Sequence, residues 1–227
     1  MYILAVDTSS ERGSICVRDN GETVGELQLS SSIQHSERLF RSIEFLFQYL
    51  PFRLADIDVF AAARGPGSFT GVRVGLAAME GFAAAFRKRG AGVSTLEALA
   101  WRTKVQNCYI APTIDARRGE IYGGLYRRVA DELIEERVPV VLKPAQWFQS
   151  LPDQPLVLCG DQALRYWESA ATHPQWTLYR TDLYLAGAIA EIAARPGCGP
   201  LEPLYVRKTD AEVARERRYE SIAGPHS

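Results

Sequence analysis

Ile3-Leu4-Ala5-Val6-Asp7-Thr8-Ser9-Ser10 opens the chain, and Tyr109-Ile110-Ala111-Pro112-Thr113-Ile114-Asp115 repeats its plan near the midpoint. Each is a short apolar run that ends in an aspartate and a polar turn, as a buried strand entering a turn should. Extended segments at 14–18 and 22–29 follow the first run, joined by the hairpin turn Asp19-Asn20-Gly21. Segments at 121–127 and 133–142 follow the second. A helix is predicted over 31–50, stopped by Pro51, with Leu39, Phe40, Ile43, Leu46, Phe47 and Leu50 on one apolar face. A buried strand at 58–63, a helix over 72–89, a brief strand at 92–94 and a helix opening at Thr95, capped by Ser94 or Thr95, complete the first half. The second half adds a strand at 156–159, the turn Gly160-Asp161 into a helix, and a last helix over 182–195 ended by Pro196-Gly197. Two β-β-β-α-β-α units predict an α/β chain built by duplication. The lobes are 1–103 and 104–207, with the helix at 182–195 packing back on the first lobe. The charge-rich stretch 208–227 reads as a partly disordered tail.

Bulk composition narrows the class. At 227 residues and 47% hydrophobic content, the chain has enough apolar surface for a sizeable core. A net charge of −1 argues against a surface that is basic throughout, leaving only a local patch for nucleic acid. Residues 2–6 lack the basic flank of an export signal, and no uninterrupted apolar run approaches the length of a membrane span. Cys16, Cys108, Cys159 and Cys198 form no Cys-x-x-Cys pair and read as reduced thiols of a cytoplasmic protein.

Gly65-Pro66-Gly67-Ser68-Phe69-Thr70-Gly71-Val72-Arg73-Val74-Gly75 is the most distinctive turn. Such a turn can cradle an anion on backbone N–H groups or let another backbone come close. It matches neither phosphate template: no Gly-Lys-Ser/Thr follows, and Thr70 stands where a dinucleotide loop needs its third glycine. Asp7, Thr8 and Ser9, with Gly67 and Ser68, remain the nucleotide or phosphate candidates. Asp7 serves equally well as an anchor for its own turn. Asp115-Ala116-Arg117-Arg118-Gly119 takes the equivalent place in the second half. There Arg117 can meet an anion or clamp Asp115 or Glu120.

No catalytic constellation and no metal set emerges. His35, His173 and His226 have no histidine partner at ligand spacing, and Leu39 stands four residues after His35. Ser68 has no nucleophile-elbow context. Arg117, Arg118, Arg127 and Arg128 form the best patch for direct contact with RNA.

Ile3–Ser9, His35-Ser36-Glu37, the glycine turn through Arg73, Ser94-Thr95-Leu96-Glu97-Ala98-Leu99, Asp115–Tyr122 and Pro203-Leu204-Tyr205-Val206-Arg207 occur in this order. In that order and spacing the chain resembles the bacterial TsaB (YeaZ) family, densely over its first 122 residues and sparsely from 123 to 202. The resemblance implies an actin-like fold of the ASKHA, ribonuclease H-like type, each lobe a mixed sheet flanked by helices. It also implies a role in making N6-threonylcarbamoyladenosine at position 37 of ANN-decoding tRNAs. In that family TsaB is the non-catalytic partner of TsaD, whose metal sits on two histidines of its first long helix. The ATPase TsaE joins them, and tRNA is met through the complex. No tightly bound cofactor is expected in the lone chain, with ATP or ADP confined to the assembly. Alternatives are an independent nucleotide-dependent ASKHA enzyme and a peptidase.

The expected interface comprises His35, Leu39, Ser42, Phe45 and Tyr49 on the first helix and Gly71, Gly75 and Ala78 on the second. Their small residues would admit a partner's helices in a four-helix contact, and the isolated chain would form a homodimer through the same surface. Two blander readings stand beside it: the small residues serve internal packing, and Phe45 and Tyr49 lie under a loop.

Overall fold

β1 (Tyr2–Asp7) shows why the chain is layered. Ile3 and Ala5 enter one apolar core while Leu4 and Val6 enter another, so the strand buries both faces. β2 (Arg12–Asp19) pairs antiparallel with β1, and β3 (Glu22–Ser30) pairs antiparallel with β2. On the other side β4 (Val59–Ala63) and β5 (Arg89–Val93) continue in parallel, giving the order β3-β2-β1-β4-β5. The computed structural model describes residues 1–30, 35–170 and 173–207, the side chains of 35–37 excepted.

The second sheet repeats the first strand for strand. β6 (Tyr109–Asp115), β7 (Ile121–Val129) and β8 (Glu132–Leu142) form the antiparallel meander. β9 (Leu156–Cys159) and β10 (Trp176–Tyr179) extend from β6 in parallel, giving the order β10-β9-β6-β7-β8. The duplication legible in the two aspartate-ending runs is therefore real at the level of topology.

Helices fill three layers. α1 (His35–Phe47) and α2 (Phe69–Phe86) cover the outer face of the first sheet, burying Leu39, Ile43, Leu46, Val72, Leu76 and Met79. α3 (Thr95–Arg102) lies on its inner face, with the Ser94 hydroxyl accepting from the Glu97 amide at its start. α4 (Pro144–Gln149), α5 (Asp161–Arg165) and α6 (Trp167–Ala170) cover the far face of the second sheet around the fully buried Trp147. α7 (Ala186–Ala193) shares the inner layer with α3, and one continuous core joins them to Ile3, Ala5, Ile110 and Tyr126. Burying Ile189 and Ile192 there stabilises by roughly 1.5–3 kcal/mol each.

Polar contacts fix α7 against the first sheet. The Ala186 amide donates to Ser14 Oγ at 3.0 Å. Glu191 accepts from Trp101 Nε1 at 2.7 Å and pairs with Arg18 and Lys104. Just upstream, Arg102 forms a forked pair with Asp182 and also donates to the Tyr184 carbonyl.

Several boundaries differ from the sequence expectation. The helix predicted at 72–89 starts at Phe69 because Ser68 Oγ accepts from the Gly71 amide, and it ends at Phe86 because Arg87 turns left-handed. The helix predicted at 182–195 begins only at Ala186, since Asp182 is engaged by Arg102 and by the Tyr184 amide. α4, α6 and β10, each six residues or fewer, were not anticipated. Of the predicted 31–50 helix, residues 31–34 lie outside the described residues, as does the tail 208–227. α2 is long and apolar enough in composition to cross a membrane, although Arg73 and Glu80 interrupt its apolar run, so no uninterrupted run of that length is present in it. Seven of its residues are buried against the rest of the fold, and Arg73 and Glu80 stand on its exposed side.

Candidate functional site

The glycine turn closes onto the end of β1. Asp7 is buried, and its Oδ1 accepts from the Ser9 amide at 2.9 Å, the local turn that a strand-terminal aspartate favours. Thr8 Oγ1 donates to the Gly71 carbonyl at 2.7 Å, and the Ser68 amide donates to the Ser9 carbonyl at 2.7 Å. The five phosphate candidates, Asp7, Thr8, Ser9, Gly67 and Ser68, are thus brought together around one turn. Their hydrogen bonds run largely to one another: the Thr8 hydroxyl and the Ser68 and Gly71 amides are already engaged within the chain. A phosphate would have to displace these bonds rather than meet free donors.

The same geometry corrects the proposed role of the small residues. A Cβ at Gly71 would lie 2.0 Å from the Thr8 carbonyl oxygen, and one at Gly75 would lie 2.5 Å from Thr8 Oγ1. Ala78 and Leu39 are buried in the outer core of the first sheet. Gly71, Gly75, Ala78 and Leu39 therefore face inward, and the close approach that Gly71 and Gly75 permit is to the chain's own β1–β2 turn. Ser42 is half-buried, and the side chain of His35 lies outside the described residues.

What does face outward is a different set. Phe40, Phe45 and Tyr49 are 51%, 50% and 74% exposed, which excludes their lying under a loop. Phe45 and Tyr49 meet edge to face at 5.2 Å, and Phe40 meets Phe82 of α2 at 6.0 Å. Beside the Phe40–Phe82 contact the outer side of α2 presents Ala77, Gly81, Ala84 and Ala85, and a Cβ at Gly81 would meet nothing within 4 Å, while Phe45 lies about 140° round α1 from Phe40. Aromatic side chains next to a stripe of small ones make a surface into which another helix can settle. Exposure separates this set from the inward one: 77 and 84 lie well round the helix from 71, 75 and 78, and 81 and 85 are exposed on the flank between.

Between the halves lies a cleft of about 1070 Å³, bordered by both aspartate turns, the glycine turn and Gly160-Asp161. Asp115 repeats the geometry of Asp7, its Oδ1 accepting from the Arg117 amide at 2.8 Å, and it pairs with Arg117 at 3.4 Å. Burial pushes the Asp161 carboxyl above the usual range, partly offset by hydrogen bonds from Gln162 and reinforced by Asp115. The walls mix Asp7, Glu11, Asp115 and Asp161 with Arg12, Arg117 and Arg180, so neither charge dominates. Among the described residues no three His, Cys, Asp or Glu side chains cluster as metal ligands, and all four cysteines are free. The RNA patch expected from four arginines does not assemble. Arg128 is buried, donating to the Trp101 carbonyl over the Trp101 ring, and Arg127 pairs with Glu136.

Comparison with known proteins agrees with this architecture. A family model described as "TsaD: tRNA N6-adenosine threonylcarbamoyltransferase" matches residues 29–164. The tRNA threonylcarbamoyladenosine biosynthesis protein TsaB of Escherichia coli is 35% identical over 148 residues, covering 63% of this chain and 63% of that protein. Its Bacillus subtilis counterpart is 33% identical over 165 residues, covering 70% of this chain and 71% of that protein. Among solved structures, YeaZ from Pseudomonas aeruginosa superposes with a TM-score of 0.77 at 27% identity, over 90% of this chain and 99% of that one. With its duplicated five-stranded sheets on an actin-like plan, the chain belongs to the TsaB (YeaZ) family.

Proposed function

We propose that this chain is a non-catalytic, cytoplasmic partner of a TsaD-type transferase, serving formation of N6-threonylcarbamoyladenosine at position 37 of ANN-decoding tRNAs. Its role is to dock on the transferase and shape that subunit's active cleft. The observation that carries this reading is the outer face of the first lobe, which exposes aromatic and small residues: Phe40 and Phe45 of α1, Tyr49 just past its end, and Ala77 and Gly81 of α2. That face has the makings of a helix-pair interface, which should bury on the order of 1,600 Å² in a stable complex. In the absence of the transferase the same face is expected to pair two copies of this chain. A TsaE-type ATPase would join the assembly, with ATP or ADP held there rather than tightly by this chain alone, and tRNA would be met through the complex.

A second reading has one observation in its favour: the matching family model is described as a transferase. Under it, Asp7, Asp115 and Asp161 in the inter-lobe cleft would do chemistry. Reconstitution separates the two. The purified chain alone, TsaD alone and the mixture would be assayed for modified tRNA with the other pathway proteins present. The partner reading expects product only from the mixture, and retained product when Asp7→Asn replaces the wild-type chain. Product from this chain without TsaD, or its loss in a folded Asp7→Asn variant, would favour the enzyme.

A further inference from the structure

A second, smaller pocket lies behind the glycine turn. It holds about 340 Å³ between that turn, the β6–β7 turn and the segment Pro203–Arg207. This is the lower end of the roughly 300–1,000 Å³ usual for small-molecule sites. Four arginines line it, Arg64, Arg73, Arg118 and Arg207, and no acidic residue does. Arg207 is matched by Glu120 from outside the wall. Arg73 has no ion-pair partner among the described residues, whereas the Arg64 guanidinium packs against Gly199 in the field of Glu97.

Arg73 is held in place although it is charged and exposed. Its guanidinium lies 3.8 Å from the centroid of the Phe69 ring, and its Nε and one terminal nitrogen donate to Tyr205 Oη at 3.1 and 2.7 Å. A planar cation fixed by stacking and by a phenol, without a carboxylate, keeps its charge for an incoming anion and loses little freedom on binding. Tyr122, Tyr205 and Pro66 supply flat apolar wall. The lining contains no Asn, Gln, Ser, Thr, Asp or Glu side chain, so apart from the arginines and the phenols of Tyr122 and Tyr205, the latter engaged by Arg73, it offers no side-chain group to read a base edge.

We propose that this pocket binds a small phosphate-bearing ring compound of mononucleotide size. The phosphate meets Arg73 and its neighbouring arginines, the ring lies against the aromatic wall, and the base is not discriminated. Asp7, Thr8 and Ser9 do not line this pocket, which adjoins the larger cleft through Gly67, Phe69, Arg118, Tyr122 and Arg207, and it does not depend on the partner reading above.

Calorimetric titration of the whole chain with AMP, UMP, adenosine and inorganic phosphate tests it. AMP and UMP are expected to bind within about threefold of each other, with Kd of about 0.1–1 mM. Arg73→Met should weaken both about tenfold, and Arg73→Lys, which keeps charge but not the plane, should fall between. Both variants alter an exposed side chain and should melt with the wild type. The proposal is overturned if neither nucleotide binds, if Arg73→Met binds them as well as the wild type, or if adenosine or phosphate alone binds as tightly as AMP.

Discussion

Along α2, Gly71, Gly75 and Ala78 look toward the sheet while Ala77, Gly81, Ala84 and Ala85 look away from it. The two sets have nearly the same composition and share one helix, yet they meet opposite surroundings. On the inner side an added Cβ at position 71 would overlap the Thr8 carbonyl, whereas on the outer side one at position 81 would enter open space. Smallness on the inner side answers to the chain's own turn. On the outer side nothing within the described chain requires it, and the exposed Phe40 and Phe45 lie on the neighbouring helix, with Tyr49 just past its end. A small residue thus marks a close approach without saying to what, and only what an added Cβ would meet in the folded chain separates a fold constraint from an open surface.

Substitutions on the two faces sharpen that contrast. The largest effect is expected from Gly71→Val. Its side chain would have to displace the Thr8 backbone and break the Thr8–Gly71 hydrogen bond, costing about 3 kcal/mol or more in urea denaturation. Gly75→Leu would strike Thr8 as well, so it reports on folding rather than on a partner. Next comes Gly81→Ala, for which the sign reverses. It should stabilise by about 0.8 kcal/mol through helix propensity, because the site is open. A destabilised Gly81→Ala variant would break the distinction between the faces.

The smallest effect is expected away from α2 altogether. Asp182→Asn weakens the pair with Arg102 and should cost about 1 kcal/mol or less at neutral pH, leaving transferase binding unchanged. Burial, the largest single influence on Asp182, raises its pKa. Hydrogen bonds from Arg102 and the Tyr184 amide outweigh burial together and hold the carboxyl below its ordinary value. A depressed folded pKa means that this stabilisation is present above the unfolded value, about 3.9, and is lost as pH falls through the folded one. Urea curves of wild type and variant should therefore differ at pH 7 and converge at the acid end.

Much of the fold could be read from residues. Asp7 and Asp115 end equivalent strands, and the segments that follow them repeat in kind. Short elements escaped because they lack a period: α4 is one turn and a half, held by Trp147 Nε1 reaching Thr113 Oγ1 across a sheet. Such a contact is non-local and leaves no trace in spacing. The site was less legible for the same reason. Gly71 and Gly75 advertise close approach, but Thr8 lies more than sixty positions earlier. Nothing in the spacing around Arg73 points to Tyr205, 132 residues away, which accepts from its guanidinium.

The central claim is that the outward face of α1 and α2 meets the transferase. It is tested most directly by measuring the affinity of a Tyr49→Asp, Gly81→Arg double variant for TsaD, with melting temperature as the control. Both positions are exposed, so the variant should melt within about 2 °C of the wild type. Its affinity should fall about thirtyfold or more, as expected when a central anchor is replaced by charge. A folded double variant that binds TsaD with wild-type affinity would contradict the claim.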